Sequence, residues 1–134
     1  MTMQKRTLGI ALVGTLVGAC ATAPGGMYSK PYAIFEAERA QRAADTRPAT
    51  IMKIDGRNIS LGKDDPVEPG MRTVEVSIPG PPGMSDPDRD TLQVEAKACT
   101  RYFFSAKRSS PTARDWKAFV SATEPIPECT RRFP

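Results

Sequence analysis

From about residue 49 onward, apolar residues recur at every second position in short runs, the spacing of strands with one buried and one wet face. Met71 to Ile78 alternates most clearly, with Val74, Val76 and Ile78 set against Thr73, Glu75 and Ser77. Ala49 to Ile54 places Thr50, Met52 and Ile54 on one face. Asp55-Gly56-Arg57-Asn58 is turn chemistry leading into Ile59-Ser60-Leu61, so a hairpin is expected there. Thr91 to Ala98 turns Leu92, Val94, Ala96 and Ala98 inward, and Arg101 to Ala106 sets Tyr102 and Phe104 opposite Phe103. These two runs read equally as one long bent strand or as a tight hairpin at Cys99-Thr100. Asp115 to Ala122 puts Trp116, Ala118 and Val120 on one face, and Pro125, Pro127 and Cys129 close the chain in an extended edge. The connections are a polar loop from Gly62 to Gly70, a break at Pro79-Gly80-Pro81-Pro82-Gly83 that continues through Asp86, Asp88 and Asp90, and a basic loop from Lys107 to Arg114.

Ahead of this region the texture differs. Ala33 to Asp45 (AIFEAERAQRAAD) is dense in helix formers, with Glu38 and Arg42 spaced for an i,i+4 pair, and predicts a helix of about three turns. Ala21 to Tyr32 is rich in Pro, Gly and small residues and reads as a tether. Leu8 to Ala19 is an apolar run behind Lys5 and Arg6 that ends in Val17-Gly18-Ala19-Cys20. It is shorter than the roughly 20 residues of a membrane span and contains Gly9, Gly14 and Gly18, so it reads as a secretory signal. These first twenty residues resemble the signal peptide and lipobox of bacterial lipoproteins. The resemblance implies diacylglycerol on the Cys20 thiol, cleavage before it and acylation of the new amine. Ala21, where Asp would be the alternative, resembles the class sorted to the outer membrane and facing the periplasm.

Six or seven short strands with turn signals every ten or so residues predict a mainly β fold, a small β-sandwich or open barrel with one N-terminal helix. Ile54-Asp55-Gly56, Pro69-Gly70 leading into Val74-Glu75-Val76, Tyr102-Phe103-Phe104-Ser105-Ala106, and Trp116 with Val120 resemble small bacterial lipoproteins with a transthyretin-like or immunoglobulin-like fold of unassigned function. Where that pattern places a glycine shortly before the tyrosine, this chain has Ala98-Cys99-Thr100. The expected organisation is a signal peptide at 1–19, a lipidated tether at 20–32, a helix and linker at 33–48 and the β domain at 49–134.

Removing residues 1–19 of the 134 leaves 115, enough for one small domain. Lys5 and Arg6 account for two of the four net positive charges, so the mature chain is only weakly basic. Charge is nonetheless uneven: Gly62 to Glu95 holds three cations against eight anions, and Lys97 to Pro134 eight cations against three anions. With Cys20 taken by lipid, Cys99 and Cys129 remain as an even pair in an oxidising compartment. A disulfide is the expected use, with two free buried thiols as the alternative.

The chain has no histidine, which removes an imidazole base and the commonest transition-metal ligand. Ser60 and Lys63 match a Ser-x-x-Lys spacing without the companion motifs or the helix start it needs. Asp86, Asp88 and Asp90 alternate like ligands of a hard cation, yet Pro87, Thr91 and Lys97 depart from a calcium loop, so a solvated loop is expected. Lys107, Arg108, Arg114, Lys117, Arg131 and Arg132 make a candidate patch near Tyr102 and Trp116 for an anionic partner, such as lipopolysaccharide phosphates, anionic lipid or an acidic envelope protein, with an ordinary charged surface as the alternative. Neither a cofactor nor nucleic acid is expected. The functional expectation is a lipid-anchored, non-catalytic binding or structural module of the envelope. Its alternatives are a small periplasmic hydrolase or transferase using carboxylates or a Ser/Lys pair, and an accessory subunit of an envelope assembly.

Overall fold

A computed structural model describes residues 28–40, 43–59, 65–78, 88–110, 112–113 and 115–134. The expected signal peptide, Cys20, Arg42, Ser60, Lys63, Asp86 and Arg114 lie outside these residues. In chain order the strands are β1 (Ala33–Ala37), β2 (Thr46–Pro48), β3 (Thr50–Ile54), β4 (Arg57–Asn58), β5 (Pro66–Val67), β6 (Gly70–Ile78), β7 (Asp88–Ala96), β8 (Thr100–Arg108) and β9 (Trp116–Pro125), followed by a helix, α1 (Pro127–Arg132). They form two sheets around a shared core, a small mainly β sandwich.

The four-stranded sheet, in order β4-β3-β6-β7, is antiparallel throughout. Val74, Val76 and Ile78 are buried, as the alternation requires, and the outer face is polar. There Gln93 Nε2 donates to Thr73 Oγ1 at 2.8 Å, and Glu75 meets Lys53 at 3.9 Å and Arg89 at 3.5 Å. The expected face of β3 is corrected by a bulge between Ile51 and Lys53. It shifts the phase, so Ile51 opposite Val76 and Ile54 opposite Val74 both turn toward the core. Asp55 and Gly56 have φ of 51° and 78°, the two left-handed residues of a type I′ hairpin turn between β3 and β4.

The five-stranded sheet is built on β8. β9 pairs with one edge. On the other, β1 runs parallel from Ile34 opposite Arg101 to Ala37 opposite Phe104, and β2 runs antiparallel from Thr46 opposite Lys107 to Pro48 opposite Ser105. At their junction the Phe104 carbonyl accepts the N–H of both Glu38 (2.9 Å) and Ala49 (3.2 Å). β5 covers the far edge of β1.

The predicted helix from Ala33 to Asp45 is therefore overturned: its first residues are β1. Phe35 packs edge-on against Tyr102 and Phe104, at 5.4 and 5.2 Å between centroids, while Ile34 lies in a second cluster with Ile126 and Cys129. A strand covered on both faces buries consecutive residues, and that burial outweighs helix preferences of a few tenths of a kcal/mol per residue. The packed chain accordingly starts before residue 49, and Tyr32, expected in the tether, already accepts the Cys99 N–H at 2.6 Å.

Between β7 and β8 the chain forms neither a bent strand nor a hairpin, because the two belong to different sheets. The corner turns at Cys99, with φ of 56° in the region that favours glycine. Tyr102 fixes it: its hydroxyl accepts the Lys97 N–H at 2.8 Å and donates to the Glu95 carbonyl at 3.2 Å. The expected extended edge through Pro127 and Cys129 is also overturned, since β9 ends at Pro125 and Pro127 opens α1. Proline suits the first turn, where its missing N–H has no helical partner, and Arg131 and Arg132 suit the last. Cys99 and Cys129 form the expected disulfide, with Cα atoms 5.2 Å apart, and seat α1 over Ile34.

Candidate functional site

The expected basic patch divides into two. Lys107, Arg108 and Lys117 lie where β8 ends and β9 begins, whereas Arg131 and Arg132 lie on α1 beyond the other end of β9. Thr100 opposite Pro125 and Arg108 opposite Trp116 mark the two ends. Eight residue steps at about 3.3 Å separate them by roughly 26 Å. Tyr102 belongs to neither group, being buried at the β7–β8 corner.

Trp116 organises the first group. As the first residue of β9 it packs partly against the core, opposite Arg108 across the ladder. The Arg108 guanidinium lies over its ring at 5.3 Å from the centroid, and Arg47, brought in by β2, lies over the same ring at 5.1 Å. Each such contact contributes about 0.5–1 kcal/mol, more where the cation is desolvated. Lys107 and Lys117 face each other directly across the ladder, a repulsive pairing, and Asp45 offsets part of it from 3.7 Å of the Lys107 ammonium. Arg108 Nε is buried without a hydrogen-bond partner among the described residues. An unmet buried donor costs about 1–3 kcal/mol, which an incoming acceptor recovers. Guanidinium groups on an aromatic platform, with two ammonium groups alongside, suit a phosphate or carboxylate group.

Arg47 was missing from the sequence-based patch because its neighbourhood read as a linker. Its sign in the sequence is weak: one arginine before a proline, far from Trp116 along the chain.

The other candidates do not converge. Asp88 and Asp90 belong to β7, not to a loop. Asp90 accepts the Ala118 N–H at 2.8 Å and the Thr91 N–H at 2.9 Å, so its carboxylate caps the edge of β9. Among the described residues no cluster of metal-ligating side chains occurs. A concavity of about 640 Å³ beside the β3–β4 turn is lined by Asp55, Arg57, Asp65, Glu68 and Arg72, among others. Its Asp55 is held below the usual carboxylate range, first by the Thr73 N–H and then by Arg72. Arg72 in turn donates to Asp55 Oδ2 (2.8 Å), the Glu68 carbonyl (2.8 Å) and the Pro69 carbonyl (3.0 Å). This is a structural clamp whose carboxylate stays ionised, the wrong direction for a general acid.

No protein-family model, curated protein or solved structure matches the chain.

Proposed function

We propose that the protein is a lipid-anchored, non-catalytic binding module of the bacterial envelope that presents the Trp116 cluster to an anionic partner. The observation that carries the binding reading is the pair of guanidinium groups over one indole, with the Arg108 Nε donor buried and, among the described residues, unmet. The lipobox-like Val17-Gly18-Ala19-Cys20 supports the anchor, and placement in the outer membrane facing the periplasm follows from the same resemblance. The Cys99–Cys129 disulfide fits an oxidising compartment. The likeness to immunoglobulin-like lipoproteins gains support from Tyr102, whose hydroxyl ties a strand corner back to backbone a few residues upstream, as in such sandwiches.

One preparation tests both halves. Intact mass and membrane fractionation of the native protein should give a triacylated, membrane-bound chain starting at Cys20, and Cys20→Ala should release it. A soluble, unlipidated native chain overturns the anchor. Titration with lipopolysaccharide and with inorganic phosphate, followed by Trp116 emission, should show saturable binding that Arg108→Gln weakens about ten-fold. Emission unchanged by either probe overturns the anion site.

A further inference from the structure

The α1 end carries a second surface, rich in basic and aromatic residues, and chain connectivity ties it to residue 20. Tyr32 and Phe133 each pack against the small cluster of Ile34, Ile126 and Cys129, and Cys129 Sγ lies 3.7 Å from the Tyr32 carbonyl oxygen. The Tyr28 ring meets Tyr32 edge-on at 5.0 Å and is 39% exposed. The chain thus reaches the domain from residue 20 beside α1. Eight residue steps separate Cys20 from Tyr28, a reach of at most about 28 Å when extended. A domain of about 100 residues has a radius of gyration near 13 Å, so a lipid on Cys20 keeps the bilayer within about one molecular width of this end.

The exposed charges here are complementary to anionic headgroups. Lys30, Arg131 and Arg132 are exposed, as is Lys97, two residues before the disulfide-bonded Cys99. Arg132 lies over the Phe133 ring at 5.7 Å from its centroid. Against them stand Glu128 on α1 and Glu124, the latter 3.6 Å from Arg101. Exposed tyrosine beside lysine and arginine is the chemistry that settles at a bilayer interface.

We propose that the face formed by Tyr28, Lys30, Arg131 and Arg132 docks on an anionic lipid surface, holding the Trp116 cluster away from the membrane. The proposal rests on lipidation of Cys20. Each basic side chain near such a surface strengthens attachment about five-fold, so two arginines contribute about twenty-five-fold.

The test uses the lipidated full-length mature chain in vesicles of phosphatidylcholine alone or with phosphatidylglycerol, each carrying a headgroup quencher. Trp116 is the single tryptophan, so its emission reports the far end directly. Tyr28→Trp in a Trp116→Phe background reports the near end. The near-end tryptophan should be quenched in phosphatidylglycerol vesicles, more weakly in phosphatidylcholine, and less in high salt or after Arg131→Gln with Arg132→Gln. Trp116 should remain unquenched. Circular dichroism checks that each variant is folded, and Lys107→Gln with Lys117→Gln serves as a charge control that leaves near-end quenching unchanged. Quenching of Trp116, or near-end quenching equal in both vesicles and insensitive to the arginines, overturns the docking face while leaving the lipid anchor standing. A mass without acyl chains removes the anchor itself.

Discussion

At the scale of single residues, Asp55 shows how one side chain closes a register. Its Oδ1 accepts the Thr73 N–H at 2.9 Å, its Oδ2 takes Arg72, and its own N–H donates to the Thr73 carbonyl at 2.8 Å. A carboxyl whose pKa is lowered in the fold stabilises it above the unfolded-state pKa, and that stabilisation is lost as pH falls through the folded value. Asp55→Asn should therefore lower the melting temperature at neutral pH. The gap to the wild type should close as pH falls below the ordinary value of 3.8. A gap that persists in strong acid would place the effect in hydrogen bonding alone. A turn at Asp55 was legible because Asp-Gly suits two left-handed residues, although Arg57 and Asn58, read as part of it, already form β4. Cys99 was not, since nothing in a cysteine announces a positive φ, and only the corner held by Tyr102 requires it.

Elements were legible where each had one dry face. β6, β7 and β9 follow their alternation, with the start of β7 three residues earlier than the pattern suggests and Ala98 exposed beyond its end, whereas β8 is buried continuously from Tyr102 to Ala106. β1 misled because an interior strand has no wet face, and Ala33 to Ala37 is short and rich in helix-forming residues. α1 did carry readable signals: Pro127 and Glu128 in the first turn, and Arg131 and Arg132 in the last. Reading Pro125, Pro127 and Cys129 as an extended edge concealed them. Cys129, within this helix, is fully buried, so the disulfide and the small cluster around Ile34 and Ile126 hold α1 together. Replacing both Cys99 and Cys129 by Ser should destabilise the domain by about 3–4 kcal/mol in denaturant unfolding, on the chain-entropy account. Hydrogen exchange should show α1 losing protection before β6 or β8 does. Equal protection of α1 with and without the bridge would assign its docking to the apolar contacts alone.

The molecule as a whole has one main core shared by both sheets, with Trp116 packed at its margin. Trp116 emission and far-ultraviolet circular dichroism should consequently lose the native signal in one coincident transition, and separated midpoints would show that the β8–β9 end opens independently. The disulfide has a further consequence for how the chain matures. Three thiols allow three single pairings, and Cys20 takes part in two of them. The lipidation proposed for Cys20 would convert its thiol to a thioether and leave only the pairing found here. A chain lipidated before it oxidises then has no wrong partner to correct, and a thiol oxidant suffices without an isomerase.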